Sequence, residues 1–343
     1  MNLGDYLLII IALGLVLFGV YLKIKKSKKT MDKLSDSNVE VLEVQLSRND
    51  DQTKDIQASS LSAENMFSAL HGLLKSDSEM QERVSFEMVA SGDRGIRFYV
   101  TTPSNILKFV ESQIYAQYPD ASVSVVSDYT PAINTSHTDY KISTITFMKP
   151  DFYPIKSFRD FETDPISSMS SSVSNLSGGE EVWFQVLVRP IADKWQQEGF
   201  DYVNKVREGV DPGKTRSAYN IFFDVIKKEI VEIASGVITG LFTTPTQGTE
   251  IKGKYITTPP KISAAKETEL KSIENKLSRM GFETIVRVVS ASKNMDRVDA
   301  NMRGLVASLD QFSGTSLNSF VSNEESNKVS ALNDYKNREF NVD

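Results

Sequence analysis

The sequence contains no cysteine. Disulfides, zinc knuckles, iron–sulfur clusters and thiol nucleophiles are therefore excluded, in agreement with a reducing compartment. Histidine is nearly absent too. His71 and His137 stand far apart, without HxxxH or HExxH spacing, so no metal site is expected. There is no G-x-S-x-G elbow of the kind that exposes a hydrolase serine. An excess of positive charge is also missing. The 343 residues carry a net charge of −6, to which the first 33 contribute +4, leaving −10 for the body. That sign argues against direct nucleic-acid binding.

Long apolar runs are scarce, with one exception. Leu3 to Leu22, LGDYLLIIIALGLVLFGVYL, spans 20 residues with Asp5 as its one charge, the length that a hydrocarbon core requires. A cleaved signal peptide needs basic residues before the run and a small-residue cleavage site after it, and this run has neither. Lys23, Lys25, Lys26, Lys28 and Lys29 follow immediately, and by the positive-inside rule they place the N-terminus outside and the bulk of the chain in the cytoplasm. The same lysines are candidate contacts to anionic lipid. The expectation is a single-pass protein of the cell (inner) membrane, with the lipid bilayer as a partner.

Behind this segment the chain alternates strand and helix patterns. VEVLEVQLS (Val39 to Ser47) has strand periodicity, and Met66, Phe67, Leu70, Leu73 and Leu74 mark a helix over 61–75. VSFEMVAS and GIRFYVTT, joined through Ser91 to Gly95, read as a hairpin. Thr102-Pro103 reads as a helix cap with proline in the first turn, and the helix stops at Pro119. ASVSVVS then completes the order strand, helix, strand, strand, helix, strand, a split β-α-β arrangement. After a strand at 140–148, the small polar residues of SSMSSSVSNLSGG read as a linker or mobile loop.

The second half repeats the pattern. In EVWFQVLVRPI, Val182, Phe184, Val186 and Val188 face one way, and Trp183, Gln185, Leu187 and Arg189 the other. Helices are expected over 192–207, 264–280 and 295–312, with FETIVRVVSAS as a strand between the last two. An amphipathic stripe runs from Ala218 to Phe242. The expected fold is α+β: an N-terminal transmembrane helix followed by two ferredoxin-like (split β-α-β) sandwiches, the second elaborated by a helical insertion. The expected organisation is an anchor over 1–22, a basic juxtamembrane spacer over 23–37 and a first α+β domain over 38–148. A Ser-rich linker over 149–181 then leads to a second domain over 182–313 with an insertion at 209–262, and a C-terminal tail covers 314–343.

GVDPGKT (Gly209 to Thr215) has letters of a phosphate loop. That loop needs four residues between its glycines, and it must join a buried strand to a helix. Here three residues intervene and the preceding segment, WQQEGFDYVNKVRE, is helical by periodicity, so Gly209 reads as a helix end and Asp211-Pro212-Gly213 as a turn. The adjacent carboxylates Asp50-Asp51 and Glu180-Glu181 fall in polar connectors, where solvent is expected to keep them ordinary. No catalytic, cofactor-binding or metal-binding set is therefore expected, and the chain reads as a non-enzyme.

Three segments carry a resemblance. SRNDDQTKDIQASSLSAENMFSALHGLL, RVSFEMVASGDRGIRFYVTTPSNILKFVESQIYAQYPDASVSVVSDY and EVWFQVLVRPIADKW are similar to the membrane-anchored N-terminal region of conjugative DNA-transfer ATPases, the type IV secretion coupling-protein kind. In that family a RecA-like motor with Walker motifs follows the N-terminal region. The resemblance implies that this chain, which ends at Asp343 without a motor, anchors, docks or organises a type IV secretion-like DNA or protein translocation motor. Its implied partners are a separate RecA-like ATPase or secretion component and further copies of itself. Two other readings are a self-associating scaffold unrelated to secretion and a nucleotide-binding enzyme using the 209–215 loop.

Overall fold

The computed structural model describes residues 39–46, 56–76, 81–133, 138–161, 164–209, 262–314 and 316–340. The chain divides into two compact units, one formed by residues up to Asp193 and from Met280 onward, the other by Lys194–Arg279.

The larger unit is built on one eight-stranded sheet. Its strands are β1 (Val39–Leu46), β2 (Val84–Ser91), β3 (Gly95–Pro103), β4 (Ala121–Val126), β5 (Asp139–Phe147), β6 (Glu181–Ile191), β7 (Gly281–Ser292) and β8 (Phe320–Glu324). The spatial order is β4-β1-β3-β2-β6-β7-β5-β8, and every neighbouring pair is antiparallel. Helices α1 (Ile56–His71), α2 (Leu107–Gln117), α3 (Pro165–Ser172), α6 (Met295–Ser308) and α7 (Lys328–Asn337) belong to this unit, and α4 (Gln196–Arg207) and α5 (Ala264–Leu277) to the smaller one.

Strand alternation divides the core into layers. On one face, Leu42, Val84, Val100 and Val188 meet Met66 and Leu70 of α1 and Val110 and Ile114 of α2. Further along the same face, Met88, Ala90, Val182 and Val288 meet Met169 of α3 and Met302 and Leu305 of α6. On the opposite face, Val41, Val89, Tyr99, Ile142, Trp183 and Val289 lie beneath Tyr129, Ile133 and two residues of α7, Leu332 and Tyr335.

The expectation of two separate ferredoxin-like sandwiches is therefore corrected. β2 and β6 pair over Val84↔Val188 to Ser91↔Glu181, which fuses the two chain halves into one sheet. Both strands are buried almost throughout, since each has a strand on either side and side chains packed on both faces. No helix among the described residues is long and apolar enough to cross a membrane, so the expected transmembrane helix and single-pass localisation are not supported. Leu3–Leu22 lies outside the described residues, as do Lys23, Lys25, Lys26, Lys28 and Lys29 and the stripe from Ala218 to Phe242.

The Ser-rich segment is more ordered than its composition suggests. Asp164 caps α3 by accepting from the Ile166 N–H at 2.9 Å, Pro165 opens the helix, and Met169 and Val173 are buried. Thr102-Pro103 closes β3 rather than capping a helix, and α2 begins only after a 3-10 turn at Ser104–Ile106. In the smaller unit, Arg207 of α4 holds Glu274 of α5 through two bonds of 2.7 and 2.9 Å, and the Tyr202 hydroxyl donates to Glu269 at 3.1 Å.

The β2–β3 turn shows two distinct uses of glycine. Gly95 has φ +71°, which favours a residue without Cβ, and open space surrounds it. Gly92 has no such φ, but a Cβ there would stand 1.8 Å from the Ser177 carbonyl oxygen, because the end of the Ser-rich segment crosses the turn and Gly92 N–H donates to Glu180 O at 2.9 Å. Gly95→Ala should thus cost about 1–2 kcal/mol, the usual left-handed penalty. Gly92→Ala should cost more, since backbone itself must move. Urea unfolding of the two variants checks the order; a milder Gly92→Ala would mean that the Ser177 crossing is loose.

Candidate functional site

A row of polar residues crosses the middle of the sheet on the face beneath α7. Register aligns Glu43 of β1 with Tyr99 of β3, then Glu87 of β2, Gln185 of β6, Arg287 of β7 and Thr144 of β5. Glu87, Gln185 and Arg287 are buried. Each interrupts an apolar stretch of its strand, and unpaired burial of such groups is costly.

Arg338 supplies what this row lacks. It follows α7 with φ +53°, in the left-handed region, where its N–H donates to Tyr335 O at 3.2 Å and the next N–H, of Glu339, to Asp334 O at 2.9 Å. From there its guanidinium reaches Glu87, with Nε to Oε1 at 3.0 Å and Nη2 to Oε2 at 3.2 Å. It also reaches Asp128, with Nη1 to Oδ2 at 2.6 Å and Nη2 to Oδ1 at 3.2 Å. Nη1 makes a further bond to Lys336 O at 2.5 Å. The planar fork of arginine suits two carboxylates held at an angle in a way that a lysine ammonium does not.

Glu87 is saturated in turn. Besides Arg338 it accepts from Ser85 Oγ at 2.6 Å, Thr101 Oγ1 at 3.2 Å and Gln185 Nε2 at 3.1 Å. Gln185 also donates to Tyr335 O at 3.1 Å and accepts from Arg287 Nη1 at 3.2 Å, and Arg287 Nη2 reaches Glu339 O at 2.7 Å. Burial opposes the charge of Arg338, but Glu87 and Asp128 outweigh it and hold the arginine pKa above its ordinary value. Burial likewise works against the Asp128 carboxylate, yet the hydrogen bonds and charge of Arg338 leave its pKa lowered. Burial, with Glu87 nearby, pushes the hydroxyls of Tyr129 and Tyr335 well up, so both remain protonated and share a 3.0 Å hydrogen bond.

Aromatic rings wall the centre. Tyr99 and Tyr129 stack at 5.0 Å, Trp183 meets Tyr129 edge-on at 5.0 Å, and the Arg338 guanidinium lies 5.6 Å from the Tyr129 ring centre. Chemically the arrangement closes over Glu87, with Asp128 at its solvent-facing rim. Its carboxylates are occupied by the chain's own cation, so what it does is fix α7 and the following residues onto the sheet.

Glu180 and Glu181, expected in a solvated connector, are both buried and serve different elements. Glu180 accepts from Arg297 Nε at 2.7 Å and Nη2 at 2.9 Å and from Asn301 at 3.3 Å, which ties α6 to the start of β6. Those bonds, with one from Ser177 N–H, hold its pKa at about 2 despite burial. Glu181 instead takes Arg94 and the Trp183 indole N–H. His71 Nε2 lies 3.2 Å from Ile191 O, with its ring edge-on to Phe282; His137 falls outside the described residues. Gly209 closes α4 with φ +79°, while Val210 to Thr215 lie outside the described residues. Among the described residues, no group of three or more His, Asp or Glu side chains is placed to hold a metal ion.

A family model covers most of the chain. It matches residues 20–341 and carries the description domain of unknown function DUF8128. The chain belongs to this family. Glu87, Asp128, Gln185, Arg287 and Arg338 all fall inside the matched span. No match was found among curated proteins.

Two outcomes follow from the geometry. Arg338→Met leaves Glu87 buried without its cation and should cost about 3–5 kcal/mol. Adding Glu87→Gln should recover part of that loss, as urea unfolding of the single and double variants would show; strictly additive losses would mean that the pair is not coupled. The Glu180–Arg297 bond should make stability depend on acid. A carboxylate with a lowered folded pKa contributes fully above its unfolded value near 4.5, and that contribution fades as pH falls toward about 2. Unfolding followed across this range should show the decline, and Glu180→Gln should flatten it.

Proposed function

We propose that the chain is a non-catalytic docking module, which binds a separate RecA-like ATPase or secretion component and organises it within a DNA or protein translocation machine. One observation carries this reading. Among the described residues, the buried ionisable groups Glu87, Arg287 and Arg338, with Asp128 at their solvent-facing rim, are satisfied within the chain. Glu87, the carboxylate that would first be considered for acid–base work, is thus sealed beneath the α7 segment, and the broad sheet with its helices offers surfaces instead. The class of partner comes from the resemblance of the strand and helix segments to translocation coupling proteins. The net charge of −10 over residues 34–343 favours a protein partner over nucleic acid. The reading invokes no cofactor.

Affinity isolation of the tagged full-length chain from its own cells, read by quantitative mass spectrometry and native mass, tests the proposal. The expected result is a Walker-containing ATPase or a secretion component in fixed ratio to the chain. Isolation without either would overturn it. So would ATP hydrolysis by the purified chain that Lys214→Ala abolishes, since the 209–215 segment would then be a working phosphate loop.

A further inference from the structure

Of the two sheet edges, one is guarded and one is not. β8 carries Asn323 and Glu324, and Glu324 accepts from Lys141 at 3.1 Å, so charged and polar side chains line that edge. β4, at the other end, reads Ala-Ser-Val-Ser-Val-Val. It has no charge, no proline and no bulge, the devices by which sheet edges usually avoid pairing. Ser122, Ser124 and Val125 are exposed, Val125 by 56%. No strand among the described residues lies beyond it.

The local hydrogen bonds show which backbone groups face outward. Ala121 N–H donates to Tyr118 O at 3.0 Å, and Val123 O accepts from the Tyr115 hydroxyl at 3.4 Å; both partners belong to the α2 segment and not to β1. Because the N–H and C=O of a strand residue leave on the same side and alternate along the chain, the outward set is residues 121, 123 and 125. The inward set is 122, 124 and 126.

We propose that this edge pairs with the same edge of a second copy, antiparallel and centred on Ser124, so that two sheets join across a two-fold axis. The strand is self-complementary in that register. Val123 lies opposite Val125 of the other copy on the helix-bearing face, and the serines meet on the other face. Val123 and Val125 are outward-facing, so they form the hydrogen-bonded pairs, with Val123 O giving up its long, exposed 3.4 Å bond from the Tyr115 hydroxyl for a ladder bond; Ser124 faces Ser124 in a non-hydrogen-bonded pair. No charge lies within the paired stretch, and the exposed Val125 gains an apolar neighbour. The chain already uses the same device internally, where β2 and β6 join its two halves. The pairing gives a surface to the homo-oligomer expected from the sequence, and it stands apart from the docking partner proposed above, because it requires this chain alone.

The absence of cysteine makes the test clean. In a non-hydrogen-bonded antiparallel pair the Cα atoms lie about 4.5 Å apart, within reach of a disulfide. Purified full-length Ser124→Cys should therefore give a covalent dimer on mild oxidation. Ser122→Cys, which faces residue 126 in the same register, should not. Native mass spectrometry of the unmodified chain should show a dimer, and Val125→Lys, an exposed change compatible with folding, should convert it to monomer. A chain that stays monomeric at every concentration, or a dimer indifferent to Val125→Lys with no Ser124→Cys crosslink, overturns the proposal. A crosslink from Ser122→Cys instead would overturn the register.

Discussion

The contact on which the rest of the large unit depends is that of Arg338 with Glu87 and Asp128. Glu87 sits at the middle of the sheet on β2, the strand that joins the halves, and no apolar packing can satisfy a carboxylate there. Its charge is tolerable only because a guanidinium arrives with two donors aimed at it, while Asp128 accepts from the remaining donors and fixes the guanidinium in place. That arrival sets the path of the chain after α7, including the left-handed backbone at Arg338, a conformation that an arginine rarely adopts. The location of α7, the protonated tyrosine pair and the bonds from Gln185 and Arg287 follow from the same requirement.

The two faces of the sheet are held by different physics. On the helix-bearing face, α1, α2, α3 and α6 supply Met, Leu, Val and Ile to two apolar clusters, and area removed from water does most of the stabilising. On the other face, one short helix and the 128–133 segment cover a core of aromatic rings and linked polar groups. A polar network gives less stability per residue than an apolar core, but it admits one arrangement, because each misplacement strands a donor or a charge. The first face thus gives the unit its strength and the second gives it a single conformation.

Much of the element order was legible in the sequence. β1, β2, β3, β4, β5, β6 and β7 were visible as alternation or short apolar runs, and α1, α2, α4, α5 and α6 as helical segments. The pairing of β2 with β6 was not legible, since periodicity within a strand says nothing of which edge meets which. α3 was hidden by composition: Met169 and Val173 are its anchors, and the serines between them suggested a linker. The candidate centre was missed for a related reason. Glu87, Gln185 and Arg287 each interrupt an apolar strand, a visible oddity, but their meeting depends on register across three strands and on an arginine in what read as a tail. Glu180 and Glu181 read as solvated neighbours because their partners, Arg297 and Arg94, are far off in sequence.

The distance along the chain between Glu87 and Arg338, 251 residues, has a consequence for how the molecule is made. A chain synthesised from its N-terminus exposes β2 and its carboxylate long before the arginine exists. The first four strands can pair in the meantime, but their shared face must remain wet and loose until the second half has formed and α7 folds back. Loop closure over such a separation is slow, and partly covered sheets are prone to wrong pairings. The seal therefore acts as a check on completion: the aromatic face dries and locks only when both halves are present and correctly joined, and a truncated or misjoined chain keeps a hydrated acid at its centre.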